Sequence, residues 1–352
     1  MKTYKLQGRI GRKISYEGKD YLYFTGTSYL GIDQVPEYEA LLLENIRKWG
    51  FNHGLSRVNT VRLDVFEEFE ERFAQGAKAE AAAVVSSGYL AGISAWQHLF
   101  PQVETCWIAP DTHPAILPEK IKPDFQLNFM QWKNQCLELS SSLTPQKILI
   151  LGNAVDPLSS AIHDYSWVSE IAKKHEVFLL IDDSHAFGVI GEGLFGTYGT
   201  HLDPSVNLMI SGSLGKGLAM PAGIILGKKK DVEEIKSKAM FIGASPGSPA
   251  NLQTFWDAHT IYQEQHRKIK ELSATFHDQI RDLSTIHGNP EFPVFIYQES
   301  TWAEKLEAKG FITSSFPYPE PSSPKIYRIV LSGFHTNQDL FDLTAALHEI
   351  IQ

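Results

Sequence analysis

The sequence has little of what would mark several large classes of protein. Only Cys106 and Cys136 are cysteines among 352 residues, too few for a disulfide framework and not spaced as a metal-binding pair, so a reducing cytoplasm is the expectation. No apolar run approaches the ~18 residues of a membrane span. The stretch from Met1 to Phe24 mixes charges with aromatics and lacks the apolar centre of a signal peptide. The chain is therefore expected to be neither exported nor membrane-bound. Basic residues are outnumbered, 32 against 41, for a formal charge of -9, and no basic run is longer than Lys228–Lys230, which argues against a nucleic-acid footprint. Repeats and low-complexity segments are lacking too. What is left is an ordinary globular composition, 43% hydrophobic, on a length that suggests about two domains at roughly 150 residues each. Small molecules are the expected partners.

Periodicity supplies the organisation. Residues 1–35 read as short strands and turns in an N-terminal arm, 36–248 as a large domain, and 249–352 as a linking helix and a smaller C-terminal domain. Amphipathic helices are predicted over Tyr38–Trp49 and Val61–Gln75, the latter with Leu63, Phe66, Phe69 and Phe73 at helical spacing. Short apolar runs then alternate with helical stretches: Ala82–Val85, Thr105–Ala109, Phe125–Phe129, Lys147–Leu151, Val177–Ile181, Val206–Ser211 and Ala222–Leu226. That alternation indicates an α/β fold whose mostly parallel sheet carries helices on both faces, a three-layer arrangement. Ligands in such sheets sit at the carboxyl ends of the strands. A long helix over Ala250–Ser284 should lead to a smaller α/β unit, closed by a helix over Asn337–Ile350.

Three stretches carry the chemistry. In LLIDDSHAFGVIGEG a continuous apolar strand ends at Asp182 with His185 three residues on, and the next strand runs into GSLGKG, which places Lys216 in a glycine-flanked turn. A third, SSGY, precedes an apolar helix over Tyr89–Leu99, so Ser87 and the backbone N–H groups of Gly88 and Tyr89 stand at a helix N-terminus suited to a phosphate. Taken singly, each has a bland reading: a loop hydrogen-bond pair for Asp182 and His185, a solvated turn lysine, a core histidine for His113, a structural salt bridge for Arg328. SGSLGKG is not a P-loop, because Gly217 follows the lysine and Ile210 stands where a glycine is needed. Gly191, Gly193 and Gly196 match GxGxxG but lead into TYGTHLDP, which is no helix. A metal site from Asp182, Asp183, His185 and His163 lacks any diagnostic spacing.

Together, Asp182, His185 and Lys216 resemble the site of the fold-type I pyridoxal 5′-phosphate (PLP) enzymes. Within them the chain is most similar to the α-oxoamine synthases, the family of 8-amino-7-oxononanoate synthase and 2-amino-3-ketobutyrate CoA ligase. TSYLGI, GLSR at Gly54–Arg57, SSGYLA, DDSHAFGVIGEG, SLGKG and YRIVLSGFHT at Tyr327–Thr336 look like that family's motifs in its order. The resemblance implies PLP as cofactor, a transferase that condenses an amino acid with an acyl-CoA, and a homodimer. It implies that Lys216 carries the cofactor covalently and serves as base near the substrate Cα, that Asp182 pairs with the pyridinium nitrogen, and that His185 bonds the phenolate oxygen. It also implies that His113 stacks on the ring, Ser213 adds a hydroxyl to the phosphate, and Ser245 reaches the phosphate of a neighbouring subunit. Arg328 would grip the substrate carboxylate, where a bidentate guanidinium is the natural choice. Four positions depart from the pattern: Asn153 for a glutamate, Pro157 for a serine, Gly92 for an asparagine and Phe66 for a histidine. An aminotransferase or aldolase on the same site, and a PLP-binding protein without turnover, remain the alternatives.

Overall fold

In the structure, a computed structural model, residues 3–118, 121, 123, 126–201, 203–318 and 321–351 are described. The chain divides into one unit formed by Met1–Glu39, Asp156–Ile162 and Thr260–Gln352, and another formed by Ala40–Val155 and His163–His259.

The second unit is built on a six-stranded sheet in the order Ala81–Val85, Gly223–Gly227, Val206–Ser213, Glu176–Asp182, Lys147–Asn153, Thr105–Ile108. Its strands are continuous apolar runs, not alternating ones; Glu176–Asp182 is buried from Val177 to its end, as expected of a strand covered on both faces. The Val206, Glu176, Lys147 and Thr105 strands run parallel, while Gly223–Gly227 is antiparallel to both of its neighbours. The α/β class with a mostly parallel sheet is thus the observed one. Register sets Asn153 beside Asp182 and Asp182 beside Ser211, so three polar residues end up side by side where neighbouring strands finish.

Helix Val65–Ala77 turns Phe66, Phe69 and Phe73 inward. Phe73 meets Phe187 and Phe255 at centroid distances of 5.8 and 5.9 Å, and burying each such ring stabilises by about 1.5–3 kcal/mol.

Two expectations fail. Phe125, in the predicted strand Phe125–Phe129, lies outside the described residues; 126 and 127 form a turn and bend, and Phe129 opens the helix Phe129–Ser142. Asn128 and Gln131 form a reciprocal capping box there, which outweighs the strand-like alternation of Phe125, Leu127 and Phe129. The helix expected over Ala250–Ser284 is two, Pro249–Asp257 and His259–Gln279, with Ala258 out of helical geometry between them. The Thr254 hydroxyl donates to Ala250 O at 2.7 Å, a back-bond that bends helices.

The first unit holds a separate six-stranded sheet in the order Lys13–Tyr16, Lys19–Phe24, Phe311–Pro317, Lys325–Val330, Val294–Tyr297, Ile286–Gly288. Leu22 pairs with Phe311 in parallel, and Arg12 grips Asp339 of the last helix, Asn337–Ile351, through two bonds of 2.7 Å. The two ends of the chain are therefore part of one sheet and its covering helix.

Among the described residues, Ala81–Val85 is an outer strand of its sheet, and a charged network closes it. Glu70 Oε1 accepts Val84 N–H at 2.8 Å and Arg57 Nη1 donates to Val84 O at 3.2 Å. Arg57 also pairs with both Glu70 oxygens, at 2.7 and 3.1 Å, and Lys236 Nζ lies 2.9 Å from Glu70 Oε2. Losing the shared carboxylate leaves a buried guanidinium unpaired, so Glu70→Ala should lower stability by ~3 kcal/mol, read from urea denaturation. A loss under ~0.5 kcal/mol, the level of an ordinary surface substitution, would show that the edge closes without it.

Candidate active site

The Glu176–Asp182 strand delivers two adjacent carboxylates, and their surroundings separate them. Asp183 is fully buried and committed to the loop ahead of it: Oδ2 accepts Thr197 N–H at 2.6 Å and Oδ1 accepts Thr197 Oγ1–H at 2.8 Å. Burial outweighs these donors, with the Asp182 charge adding to it, and pushes the Asp183 carboxyl up to about 7. Asp182, 5% exposed, gives Oδ1 to Ser184 N–H at 2.8 Å, and its Oδ2 is buried with no hydrogen-bond partner. A buried acceptor left open costs about 1–3 kcal/mol, so this oxygen is built for a donor that the protein does not itself provide. Ser184 in turn accepts Ser213 N–H at 2.8 Å on its hydroxyl, tying the Asp182 loop to the end of the next strand. His185 follows, half-buried.

Past that strand end the chain makes the Lys216 turn. Met220 N–H returns to Leu214 O at 3.0 Å, Leu214 N–H donates to Ala222 O at 2.9 Å, and Ser213 Oγ accepts Gly215 N–H at 3.1 Å. Helix Gly88–Leu99 starts against Ser213: a Cβ on Gly88 would fall 2.5 Å from the Ser213 Cα, so only glycine permits the approach. Ser87 caps the helix, taking Leu90 N–H on its hydroxyl at 3.2 Å and Ala91 N–H on its carbonyl at 3.1 Å. The amides of Gly88 and Tyr89 belong to the first turn, which has no intrahelical acceptors for them. Two backbone donors and the Ser213 hydroxyl thus share one helix N-terminus, a suitable seat for a phosphate.

His113 occupies the turn after Thr105–Ile108. Its Nδ1 accepts Ala115 N–H at 3.1 Å, which leaves the ring proton on Nε2. Burial holds the imidazole below its ordinary pKa; the Lys216 charge acts the same way, and the Asp182 carboxylate opposes both. His113, Asp182 and Lys216 therefore share one electrostatic neighbourhood, and the ring is neutral there. Tyr89 meets His113 edge-on at 6.5 Å, joining the helix N-terminus to the same place.

Ser245 is exposed on the segment between helices Ala239–Gly243 and Pro249–Asp257. Arg328 belongs to the first unit, on strand Lys325–Val330, and is 7% exposed. Its guanidinium donates to Pro157 O at 3.1 Å and lies over the Phe316 ring at 5.3 Å, while Nε is buried without a partner. Burial lowers its pKa. Tyr29, Asp156 and Tyr318 oppose that effect, and the buried Nε is the donor left for an incoming anion.

The four departures acquire physical roles. Pro157 supplies the carbonyl that holds Arg328. Phe66 lies under the Arg57 guanidinium at 4.8 Å. A Cβ at Gly92 would stand 2.6 Å from Ala115 O, so helix Gly88–Leu99 lies directly on the His113 turn. Asn153 Oδ1 accepts His113 N–H at 3.0 Å. Sequence reasoning assigns none of these tasks; the one available signal is the position of Asn153 at the carboxyl end of a buried strand.

A buried acceptor awaiting a donor, a phosphate seat, a neutral imidazole and a lysine together fit a phosphorylated, nitrogen-containing aromatic ring. Comparison with known proteins agrees. The aminotransferase class I and II profile matches residues 29–340. The 8-amino-7-oxononanoate synthase of Thermosipho melanesiensis is 25% identical over 95% of this chain and 89% of its own, and that of Petrotoga mobilis 27% over the same shares. Among solved structures, Sphingomonas wittichii serine palmitoyltransferase superposes with a TM-score of 0.80 at 17% identity, covering 96% of this chain and 90% of that one. The Francisella tularensis 8-amino-7-oxononanoate synthase gives 0.71 at 19%, covering 94% and 96%. The match spans most of the chain, and the protein belongs to the aminotransferase class I and II family, as a transferase whose cofactor is PLP.

Proposed function

We propose that this transferase joins the α-carbon of an amino acid to the acyl group of a CoA thioester, in the manner of the α-oxoamine synthases. The observation that carries the reading is the orphaned Asp182 Oδ2, set in the electrostatic neighbourhood of His113 and Lys216. The direction of that reaction is supported by relatives named 8-amino-7-oxononanoate synthase along 95% of the chain.

When bound, PLP supplies an electron sink for charge developing at the substrate Cα. The chain's residues do the rest. Asp182 keeps a proton on the ring nitrogen by offering Oδ2 to it. His113 covers one ring face with a neutral imidazole, and His185 bonds the ring's phenolate oxygen. Ser87, Gly88, Tyr89 and Ser213 hold the phosphate. Lys216 carries the cofactor and moves a proton at Cα once substrate has entered. Arg328, with its unused Nε, grips the substrate carboxylate. Ser245, exposed in its own chain, is proposed to reach the phosphate held by a second copy, so the working assembly is a homodimer. Residues 36–248 and 249–352 are proposed as the cofactor-binding and small domains. No described helix is long and apolar enough to cross a membrane, in keeping with a proposed cytoplasmic location.

Replacing Asp182 by Asn keeps the shape and removes the charge that retains the ring proton. Asp182→Asn should still bind PLP and lose at least ~100-fold in kcat, the scale of deleting one electrostatic contact to a reacting group. Turnover near wild type would assign the pyridine nitrogen to another residue.

The reaction is tested by incubating glycine, alanine or serine with short and long acyl-CoAs and reading free thiol. One pair should release CoA in step with amino acid consumed. In an aminotransferase the proton and the amino group would stay with the cofactor and water would release the substrate skeleton, giving pyridoxamine phosphate and a keto acid. No thiol from any pair, with stoichiometric pyridoxamine phosphate, would replace acyl transfer by amino transfer.

A further inference from the structure

The His113 turn is held from behind by a chain of polar contacts that ends well outside the proposed site. Asn153, in register beside Asp182, uses its amide at both ends. Oδ1 accepts His113 N–H at 3.0 Å, while Nδ2 donates to Asp111 O at 2.5 Å and lies 3.3 Å from Asp111 Oδ2. An amide tied at one end can rotate and one tied at both ends is fixed; the closer tie at the far end is to the Asp111 backbone, so where the Asp111 residue is held, partly by its carboxylate, decides how firmly His113 is held.

The Asp111 carboxylate has a single short contact of its own, His163 Nε2 at 2.9 Å from Oδ2, and its Oδ1 is buried without a partner. The His163 and Asp111 side chains are 7% and 13% exposed. A carboxylate so withdrawn from water moves when its one good donor is removed, because staying leaves a desolvated charge. His163 itself is immobilised twice: its ring stacks on Phe129 at 3.8 Å and 7°, and its backbone N–H donates to Ala154 O at 2.9 Å. Tyr165 completes the support, donating to Asn153 O at 3.0 Å and meeting Phe129 edge-on at 5.4 Å.

We propose that Asp111 and His163 are positioning residues that act through Asn153 to hold His113 in the cofactor site. The inference rests on the proposed PLP site for what His113 touches, but the brace itself is a property of the chain. A merely structural role for the pair would change stability and leave His113 and the bound cofactor as they were.

The test uses the PLP-loaded protein and two variants. His163→Phe keeps a ring to stack on Phe129 and removes the donor; Asp111→Ala removes the carboxylate in case the first variant folds poorly. Amide hydrogen exchange should quicken at His113 by roughly 5-fold or more, the factor that one hydrogen bond of ordinary strength corresponds to. The visible circular dichroism of bound PLP should change with it, and kcat should fall on the order of 10-fold, as on loss of an outer supporting contact, with KM for the acyl donor little altered. His163→Gln, which restores a donor, should recover part of each signal. Unchanged His113 exchange in both variants would overturn the brace, and so would faster exchange with unaltered dichroism. A wild-type protein that takes up no PLP, yet shows the faster exchange in the variants, would instead overturn the site reading and keep the brace.

Discussion

One carboxylate oxygen organises the site-bearing unit. The Glu176–Asp182 strand is buried from Val177 onward, and it ends by presenting Asp182 with one oxygen taken by the next loop and the other left open. Leaving a desolvated acceptor empty costs stability, and the structure bears that cost where neighbouring strands finish together. Around it the surrounding groups are held by contacts that do not use that oxygen: Ser184 ties the loop to Ser213, Gly88 lets a helix N-terminus reach Ser213, and the His113 ring takes Ala115 N–H on Nδ1. The proposed division of labour follows from that arrangement. In the proposed site Asp182 would meet the ring nitrogen and the helix end would meet the phosphate of the same ligand.

The adjacent aspartates show how surroundings decide role. Asp182 and Asp183 are equivalent letters in the sequence, yet Thr197 consumes both oxygens of Asp183 and burial raises its pKa to about 7. Such a group secures the loop after the strand, each of its oxygens already accepting a bond from Thr197. Family membership is consistent with this assignment, while the departures at Asn153, Gly92 and Pro157 gather on the His113 turn and on Arg328. They alter how proposed ligand-holding residues are supported and leave Asp182 and Lys216 in place.

Much of the fold is legible in the sequence because its strands are buried on both faces. Val177–Ile181 is an unbroken apolar run and Leu208–Ile210 a shorter one, each bounded by polar residues, and such runs have few other places to go. The Asp182, Lys216 and SSGY segments are legible for a related reason: each follows directly from a strand or opens a helix, so local order already places it. The failures share the opposite property. Phe129 joins a helix because a capping box spanning Asn128 to Gln131 outweighs an alternating pattern, and the break at Ala258 comes after a helix in which the Thr254 hydroxyl turns back on the backbone. The contact from His163 to Asp111 spans 52 positions and that from Asn153 to His113 spans 40. No local pattern encodes either. Only the sheet register and the path of the chain after each strand bring those residues together.

The most direct test of the proposed site is the visible absorption spectrum of the purified protein with PLP, compared with that of Lys216→Ala. A lysine that carries the cofactor covalently should give a yellow wild-type protein whose visible band survives desalting, and Lys216→Ala should lose the band or shift it to that of cofactor held without the covalent bond. A colourless wild-type protein that takes up no added PLP, or a Lys216→Ala spectrum indistinguishable from wild type, would contradict the assignment of Lys216 and with it the site built around Asp182.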